Sequence, residues 1–146
     1  MAVADRAIIC VGNRFMAEDD TGLRVFELFS GIPLPDGVEL VDGGLGGLNL
    51  LSLLEGRTEV IFVDTLDVSM TAIGEVIVLD GREVAALAES YGHAAGLPYL
   101  LHMLPLVCPP PWPRCRVVGT AAPATRESLL AIVRTTLELL ADASAA

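Results

Sequence analysis

The stretch "EVIFVD", residues 59–64, decides the fold class of this chain. Its inner residues are all apolar, so both faces of the strand that it predicts would be covered, as in the middle of a parallel sheet. Two further apolar runs, "VELVD" at 38–42 and "VIVLD" at 76–80, also end in aspartate. Segments of helical period separate these runs, which is the pattern of an α/β protein.

The rest of the chain continues this alternation. The predicted strands are 7–11, 38–42, 59–64, 74–80 and 116–120, and the predicted helices are 20–30, a short one ending near Gly56, 82–93, 94–104 interrupted at Pro98, and 125–142. The proline-rich stretch "CPPPWPRC" at 108–115 predicts a loop. We therefore expect one domain over residues 1–146, a three-layer α/β fold with a mainly parallel, twisted sheet of about five strands and helices on both faces.

The composition excludes several kinds of function. The formal net charge is -10 and lysine is absent, so a Walker-type phosphate loop and a Schiff-base lysine are excluded. We expect no nucleic-acid partner, because phosphate binding needs a dense cationic surface. No apolar run approaches the ~20 residues of a membrane span. The first residues lack a secretory signal, so we expect a cytoplasmic protein whose three cysteines stay reduced.

Acidic residues follow the predicted strands at the point where each one ends. Asp42, Asp64 and Asp80 end three apolar runs, and "EDD" at 18–20 follows the first strand after a short loop. The carboxyl ends of parallel strands meet at one edge of a sheet, where ligands of such folds bind. Any one of these aspartates, Asp80 above all, could instead form an Asx turn or cap a helix. Together, without lysine to neutralise them, they favour a bound cation or a basic partner.

The glycine-rich bend "GGLGG" at 43–47 predicts close backbone approach to a ligand, with amides left free for it. A metal site would also favour an imidazole. His93, in a loop beside glycine, fits better than His102, which lies among aliphatic residues, although either could be a structural histidine. Two carboxylates and one imidazole suit a divalent ion such as zinc, nickel, manganese or cobalt.

Four motifs in this order resemble the maturation endopeptidases of nickel-iron hydrogenases. They are "CVGNRFMAEDDTG" at 10–22, "VDGGLGGLNLL" at 41–51, "VIFVDTLD" at 60–67 and "GHAAGLPYLL" at 92–101. The resemblance covers nearly the whole chain. It implies a doubly wound α/β fold and a peptidase that makes a single cut.

The resemblance also implies roles for individual residues. The metal-facing set falls on Asp19, Asp64 and His93, of which the two aspartates are also the catalytic candidates. Substrate recognition falls on Asp42 and the glycines that follow it, Gly43 and Gly44.

Two departures from the family pattern concern the first motif. Cys10 replaces the usual first glycine, which tightens the turn without affecting a ligand. Asp20 replaces a glycine after the acidic pair, which leaves Asp20 as an alternative to Asp19. We prefer Asp19, because its distances in sequence from Asn13 and Gly22 both agree with the pattern.

By the same resemblance, the enzyme would remove the C-terminal extension of a nickel-iron hydrogenase large-subunit precursor after nickel insertion. The divalent metal at the site would be nickel carried by the substrate, with no organic cofactor, and we expect a monomer. The alternative is a nickel-dependent binding or chaperone module that does not cut. A nucleotide- or flavin-binding domain is a third possibility, disfavoured by the absence of lysine and of a GxGxxG sequence.

The sequence leaves the hydrolytic mechanism open. No serine lies on a glycine-flanked elbow between strand and helix, and Cys10 is expected in a strand core. Either a metal polarises the scissile carbonyl while a carboxylate acts as base, or water is activated between carboxylates. Trp112, in the proline loop, could be a docking anchor or a lid over the core.

Overall fold

The computed structural model describes residues 4–13, 15–91 and 96–145 of the chain. The strands are Arg6–Cys10 (β1), Val38–Asp42 (β2), Glu59–Leu66 (β3), Ile77–Asp80 (β4) and Arg114–Ala121 (β5). The helices are Thr21–Ser30 (α1), Leu51–Leu54 (α2), Gly81–Tyr91 (α3), Gly96–Val107 (α4) and Arg126–Ala145 (α5). Short 3-10 turns at Ala17–Asp19 and Leu48–Leu50 lie in the loops after β1 and β2.

The strands form a sheet in the order β2-β1-β3-β5-β4, in which only β4 runs antiparallel to its neighbour. This confirms the predicted five-stranded, mainly parallel sheet, and it confirms that the strand containing "EVIFVD" is central. The apolar residues of β3 from Val60 to Val63 are fully buried, as a strand covered on both faces requires.

Helices cover both faces of the sheet, as predicted. In β1, Ala7 and Ile9 point to the face covered by α2, α3 and α4, whereas Ile8 and Cys10 point to the face covered by α1 and α5. The alternation follows from the two-residue period of a strand. The two cores therefore share one sheet.

The direction of β4 corrects one prediction. Because β4 is antiparallel to β5, its last residue Asp80 lies level with Arg116, near the start of β5. Asp80 therefore lies towards the opposite edge of the sheet from Asp42 and Asp64, and it does not join them. Its Oδ1 accepts a hydrogen bond from the Arg82 amide at 2.9 Å, the Asx turn that was the alternative interpretation.

The predicted interruption at Pro98 is wrong, because α4 is continuous from Gly96 to Val107. Pro98 stands in the first turn, where a helical amide has no carbonyl partner within the helix, so its missing N–H is tolerated. The expected cap of the last helix is confirmed: the Thr125 hydroxyl accepts the Ser128 amide at 3.0 Å.

Arginine neutralises the buried acid at the amino-terminal edge of the sheet. Glu59, the first residue of β3, is buried and pairs with Arg116, and Arg6 lies 3.7 Å from its second oxygen. The buried acid at this edge therefore has two arginine partners. Within the part of the chain that the structure describes, no helix is long and apolar enough to cross a membrane.

Candidate active site

The loop after β1 folds back on itself and returns the acidic residues to the sheet. The Val11 amide continues the β1–β3 ladder by donating to Val63 O at 2.8 Å. The Asn13 amide then donates to Asp19 O at 2.9 Å, which closes the loop. Asp19 is the last residue of the 3-10 turn, and it therefore lies beside the carboxyl end of β1.

Two glycines permit this close packing. A Cβ on Gly12 would stand 2.6 Å from Asp19 O, and a Cβ on Gly22 would stand 2.0 Å from Val11 O. Neither space admits a side chain without moving backbone. The glycines of the first motif are therefore explained by the approach of α1 and the acidic turn to the end of β1.

Asp64 lies on the neighbouring strand, near the carboxyl end of β3. Its Oδ1 accepts the Thr65 amide at 2.8 Å. Gly119 is its partner on β5, and a Cβ there would stand 2.3 Å from Asp64 O. The backbone of Asp64 is thus packed closely against that of Gly119.

The carboxyl groups of Asp19 and Asp64 interact directly. Burial raises the pKa of Asp64 to about 8, the negative charge of Asp19 adds to that rise, and only the Thr65 amide opposes it. The pKa of Asp19 is also raised, mainly by burial, and the charge of Asp20 adds to the rise, whereas the Asn13 amide and the nearby Thr65 hydroxyl oppose it. Two carboxyls in one low-dielectric site cannot easily both ionise, so the pair retains a proton at neutral pH.

Asp19, and not Asp20, is the acid that affects Asp64. Asp20 occupies the cap position of α1 and accepts the Arg24 amide at its backbone carbonyl. The structure therefore brings together the two aspartates preferred from the sequence. Sequence reasoning missed Thr65 and Gly119. Thr65 could have been proposed because it directly follows Asp64 in the sequence. The close contact of Gly119 with Asp64 depends on strand pairing, which the sequence alone does not give.

Asp42 ends β2 and is the strand partner of Cys10. Its Oδ1 accepts the Gly44 amide at 3.1 Å. Because β1 lies between β2 and β3, Asp42 stands about 10 Å from Asp64 across the sheet. It lies at the same edge as the aspartate pair without joining it.

The amides of Gly43, Gly44 and Gly46 in the glycine-rich bend are used within the fold and are not free for a ligand, which corrects the prediction for these three. The Gly43 amide donates to Cys10 O at 2.7 Å, and the Gly46 amide donates to Gly43 O at 3.2 Å. The backbone of the bend packs closely against β1 and not against a ligand, since a Cβ on Gly43 would stand 2.6 Å from Ile9 Cγ2. Gly44 has a φ of 57°, in the left-handed region that favours glycine.

His93 lies outside the described residues, so its predicted metal-facing role stays a prediction. Among residues 4–13, 15–91 and 96–145, no three His, Cys, Asp or Glu side chains form a metal-binding group. Two partly buried carboxyls with raised pKa values are nevertheless suited to a divalent cation, since a cation would stabilise both negative charges.

The cysteines do not provide a nucleophile. Burial raises the pKa of Cys10 and of Cys115 to about 12, and burial and Glu55 raise that of Cys108. All three thiols are therefore protonated at neutral pH, whereas nucleophilic catalysis needs the thiolate. The aspartates remain as the acid–base groups.

Exposed apolar side chains surround the aspartate pair on the loops that follow β1, β2 and β3. We call these residues the apolar rim: Phe15, Met16, Leu45, Leu48, Val68 and Ile73. Phe15 is 90% exposed and Val68 69% exposed. The loops after β1 and β2 lie together, because the Gly12 amide donates to Gly44 O at 2.8 Å. Large apolar side chains left in water around one site indicate a docking surface for another protein.

A protein-family model described as hydrogenase maturation protease matches residues 23–141. The chain belongs to the hydrogenase maturation protease family. The matched segment includes Asp42, Asp64 and His93, and it begins just after the turn that contains Asp19. The fold and the family expected from the four motifs are both confirmed.

Related hydrogenase maturation proteases support this assignment. The Hydrogenase 2 maturation protease of Escherichia coli K12 is 35% identical over 81 residues, 55% of this chain and 49% of that protein. The chain thus spans about half the length of the curated relative that it matches. The solved structure of the maturating endopeptidase HybD from E. coli has a TM-score of 0.70 at 25% identity, covering 98% of this chain and 91% of that one.

A second solved structure, the hydrogenase 2 maturation peptidase from a Thaumarchaeota archaeon, has a TM-score of 0.57 at 25% identity. It covers 96% of this chain and 97% of the other. This member of the family therefore shares its fold with peptidases from both a bacterium and an archaeon.

Proposed function

We propose that this protein is an endopeptidase that removes the C-terminal extension of a nickel-iron hydrogenase large-subunit precursor once nickel has been inserted. The convergence of Asp19 and Asp64 at the carboxyl edge of the sheet carries the proposal. Membership of the protease family supports the peptidase activity. The names of its relatives, which are hydrogenase maturation proteases, support the substrate.

The apolar rim supports a polypeptide substrate. A folded precursor can cover Phe15, Leu45 and Val68 while its tail reaches the aspartates between them, and the burial of these side chains would stabilise the complex. Asp42, Gly43 and Gly44 form the recognition side of this surface, because the exposed Asp42 carboxylate lies across β1 from the pair. No second enzyme subunit is needed, and we propose a cytoplasmic monomer.

The proposed metal is nickel carried by the substrate, faced by Asp19, Asp64 and His93. Nickel supplies Lewis-acid polarisation of the scissile carbonyl and alignment of the loaded precursor. An empty precursor lacks this anchor and is not cut. The family resemblance, and not the described geometry, is the basis for including His93.

The aspartates provide the proton transfers of hydrolysis. Water adds to the scissile carbonyl carbon while an ionised carboxylate of the pair accepts its proton. The carbon–nitrogen bond then breaks, and the leaving amine takes the proton that this carboxyl accepted. The raised pKa values of Asp19 and Asp64 fit a carboxyl that both accepts and returns a proton.

The test is the intact mass of a cognate precursor, either loaded with nickel or empty, before and after incubation with the protein. Loss of a C-terminal fragment from the loaded precursor alone is the expected result. An unchanged mass of a loaded, correctly paired precursor would refute the peptidase. A nickel-dependent complex without mass loss would identify a binding or chaperone module instead.

A further inference from the structure

A cavity of about 740 Å³ lies away from the aspartate pair, between α3, α4 and the proline loop. It is reached from the amino-terminal edge of the sheet, since its lining includes Arg114 and Cys115 at the start of β5. Arg114 precedes Gly119, the strand partner of Asp64, by about 16 Å of strand at ~3.3 Å per residue. We call the cavity between α3, α4 and the proline loop the amino-edge cavity.

The walls of the amino-edge cavity are mainly apolar. They are formed by Ala85, Leu101, Leu104, Pro105, Trp112 and Pro113. The indole of Trp112 is 47% exposed, and it is held in place by a 2.9 Å hydrogen bond from its Nε1 to Cys108 O. A fixed aromatic ring at the mouth of an apolar cavity offers a ready surface for an apolar ligand.

The charged side chains that line the cavity favour an anion. They are two guanidiniums, Arg82 and Arg114, and one carboxylate, Asp80. The Asp80 carboxylate is already engaged, because it accepts the Arg82 amide at 2.9 Å and lies 3.5 Å from Arg82 Nε. Arg114 makes no side-chain hydrogen bond within the described residues, although, together with the Arg82 amide, its charge acts on the Asp80 carboxyl and lowers the pKa of that group. The two guanidiniums outnumber the one carboxylate, so the charged lining carries a net positive charge on a chain whose net charge is -10.

We propose that the amino-edge cavity binds an amphipathic carboxylate, with its apolar body against Trp112 and Leu104 and its carboxylate against Arg82 and Arg114. The volume and the apolar walls with few polar groups are those of small-ligand sites. Guanidinium groups bind carboxylates through paired hydrogen bonds. The same chemistry is offered by a free organic acid and by the C-terminus of an apolar peptide. This site goes beyond the proposed peptidase activity and does not depend on it.

Fluorescence tests the proposal directly, because Trp112 is the single tryptophan of the chain. The full-length protein is titrated with hexanoate, octanoate and decanoate, and with octylamine as the cationic counterpart of octanoate. We expect a saturable change of Trp112 emission, with octanoate binding at least tenfold more tightly than octylamine. N-acetyl-dileucine and its amide repeat the comparison for a peptide terminus, and the tighter of the two carboxylates identifies the source.

The double variant Arg82→Gln/Arg114→Gln should weaken carboxylate binding at least tenfold, whereas Arg134→Gln, an exposed arginine on α5, should change it less than twofold. Calorimetry repeats each titration, so that binding without a change of emission is counted. Absence of saturable binding by every carboxylate would overturn the proposal. Equal binding of octanoate and octylamine, or equal binding to the double variant and the wild type, would overturn it as well.

Discussion

The Asp19 and Asp64 carboxyls share one site although Asp19 lies in the turn after β1 and Asp64 lies in β3, and the charge of Asp19 adds to the burial that raises the pKa of Asp64 to about 8. Such an arrangement costs stability, because neither carboxyl has a cationic partner among the described residues. Pairs of this kind are typical of functional sites. In contrast, the buried Glu59 at the amino-terminal edge is paired with arginine.

The aspartate pair should make stability depend on pH. The pKa of Asp64 rises from an ordinary 3.8 to about 8 on folding, so its favourable contribution is complete below about pH 4 and is lost as pH rises towards 8. Asp64→Asn removes this loss. We expect the melting temperature of the variant to exceed that of the wild type by about 5 °C or more at pH 9, with a much smaller difference at pH 5. A difference of the same size at both pH values would contradict the shared site.

The loop that returns Asp19 to the sheet depends on Gly22. A methyl group there would stand 2.0 Å from Val11 O, and backbone would have to move. We expect Gly22→Ala to lower the free energy of unfolding by about 3 kcal/mol or more. Gly31→Ala is the matched control, since its Cβ would meet only Leu28 O at 3.7 Å, and it should stay within about 1 kcal/mol of the wild type. Urea unfolding of both variants checks the comparison, and an equal effect would exclude the proposed close contact.

Phe15 should act in substrate docking and not in stability. It is 90% exposed, so Phe15→Ala should change the free energy of unfolding by less than about 0.5 kcal/mol. Cleavage of the loaded precursor should nevertheless show a KM raised about tenfold with kcat nearly unchanged. Leu130→Ala on α5, 42% exposed and outside the apolar rim, should leave both constants as they are. An unaltered KM in Phe15→Ala would remove this residue from the docking surface.

The sequence predicted the layers of the fold and the aspartate pair because both follow from local patterns. Apolar runs ending in aspartate predict strand ends, and the parallel strands β1 and β3 bring Asp19 and Asp64 to one edge. The apolar run "VIVLD" predicts a strand, but it does not predict whether that strand, β4, runs parallel or antiparallel to its neighbour. The connection at 67–76 contained the missing information, since it has no helix and is shorter than a usual parallel crossover.

The glycine-rich bend and the amino-edge cavity were not predicted from the sequence, because both depend on contacts between segments that are distant in the chain. The amides of Gly43 and Gly44 are used within the fold, because β1 and Asp42 lie beside them. The amino-edge cavity depends on how α3, α4 and the proline loop pack, which no periodicity specifies. Trp112 lines that cavity while remaining half exposed, so its role as a docking anchor or as a lid over the core stays a prediction.

The central claim is that Asp19 and Asp64 perform the cut, and single-turnover cleavage of the nickel-loaded precursor by Asp64→Asn tests it most directly. Asp80→Asn is the matched control, because Asp80 also ends a strand but lies towards the opposite edge of the sheet. We expect cleavage by Asp64→Asn to be at least about 100-fold slower than by the wild type, with Asp80→Asn within about threefold of it. Wild-type cleavage by a folded Asp64→Asn protein would contradict the claim.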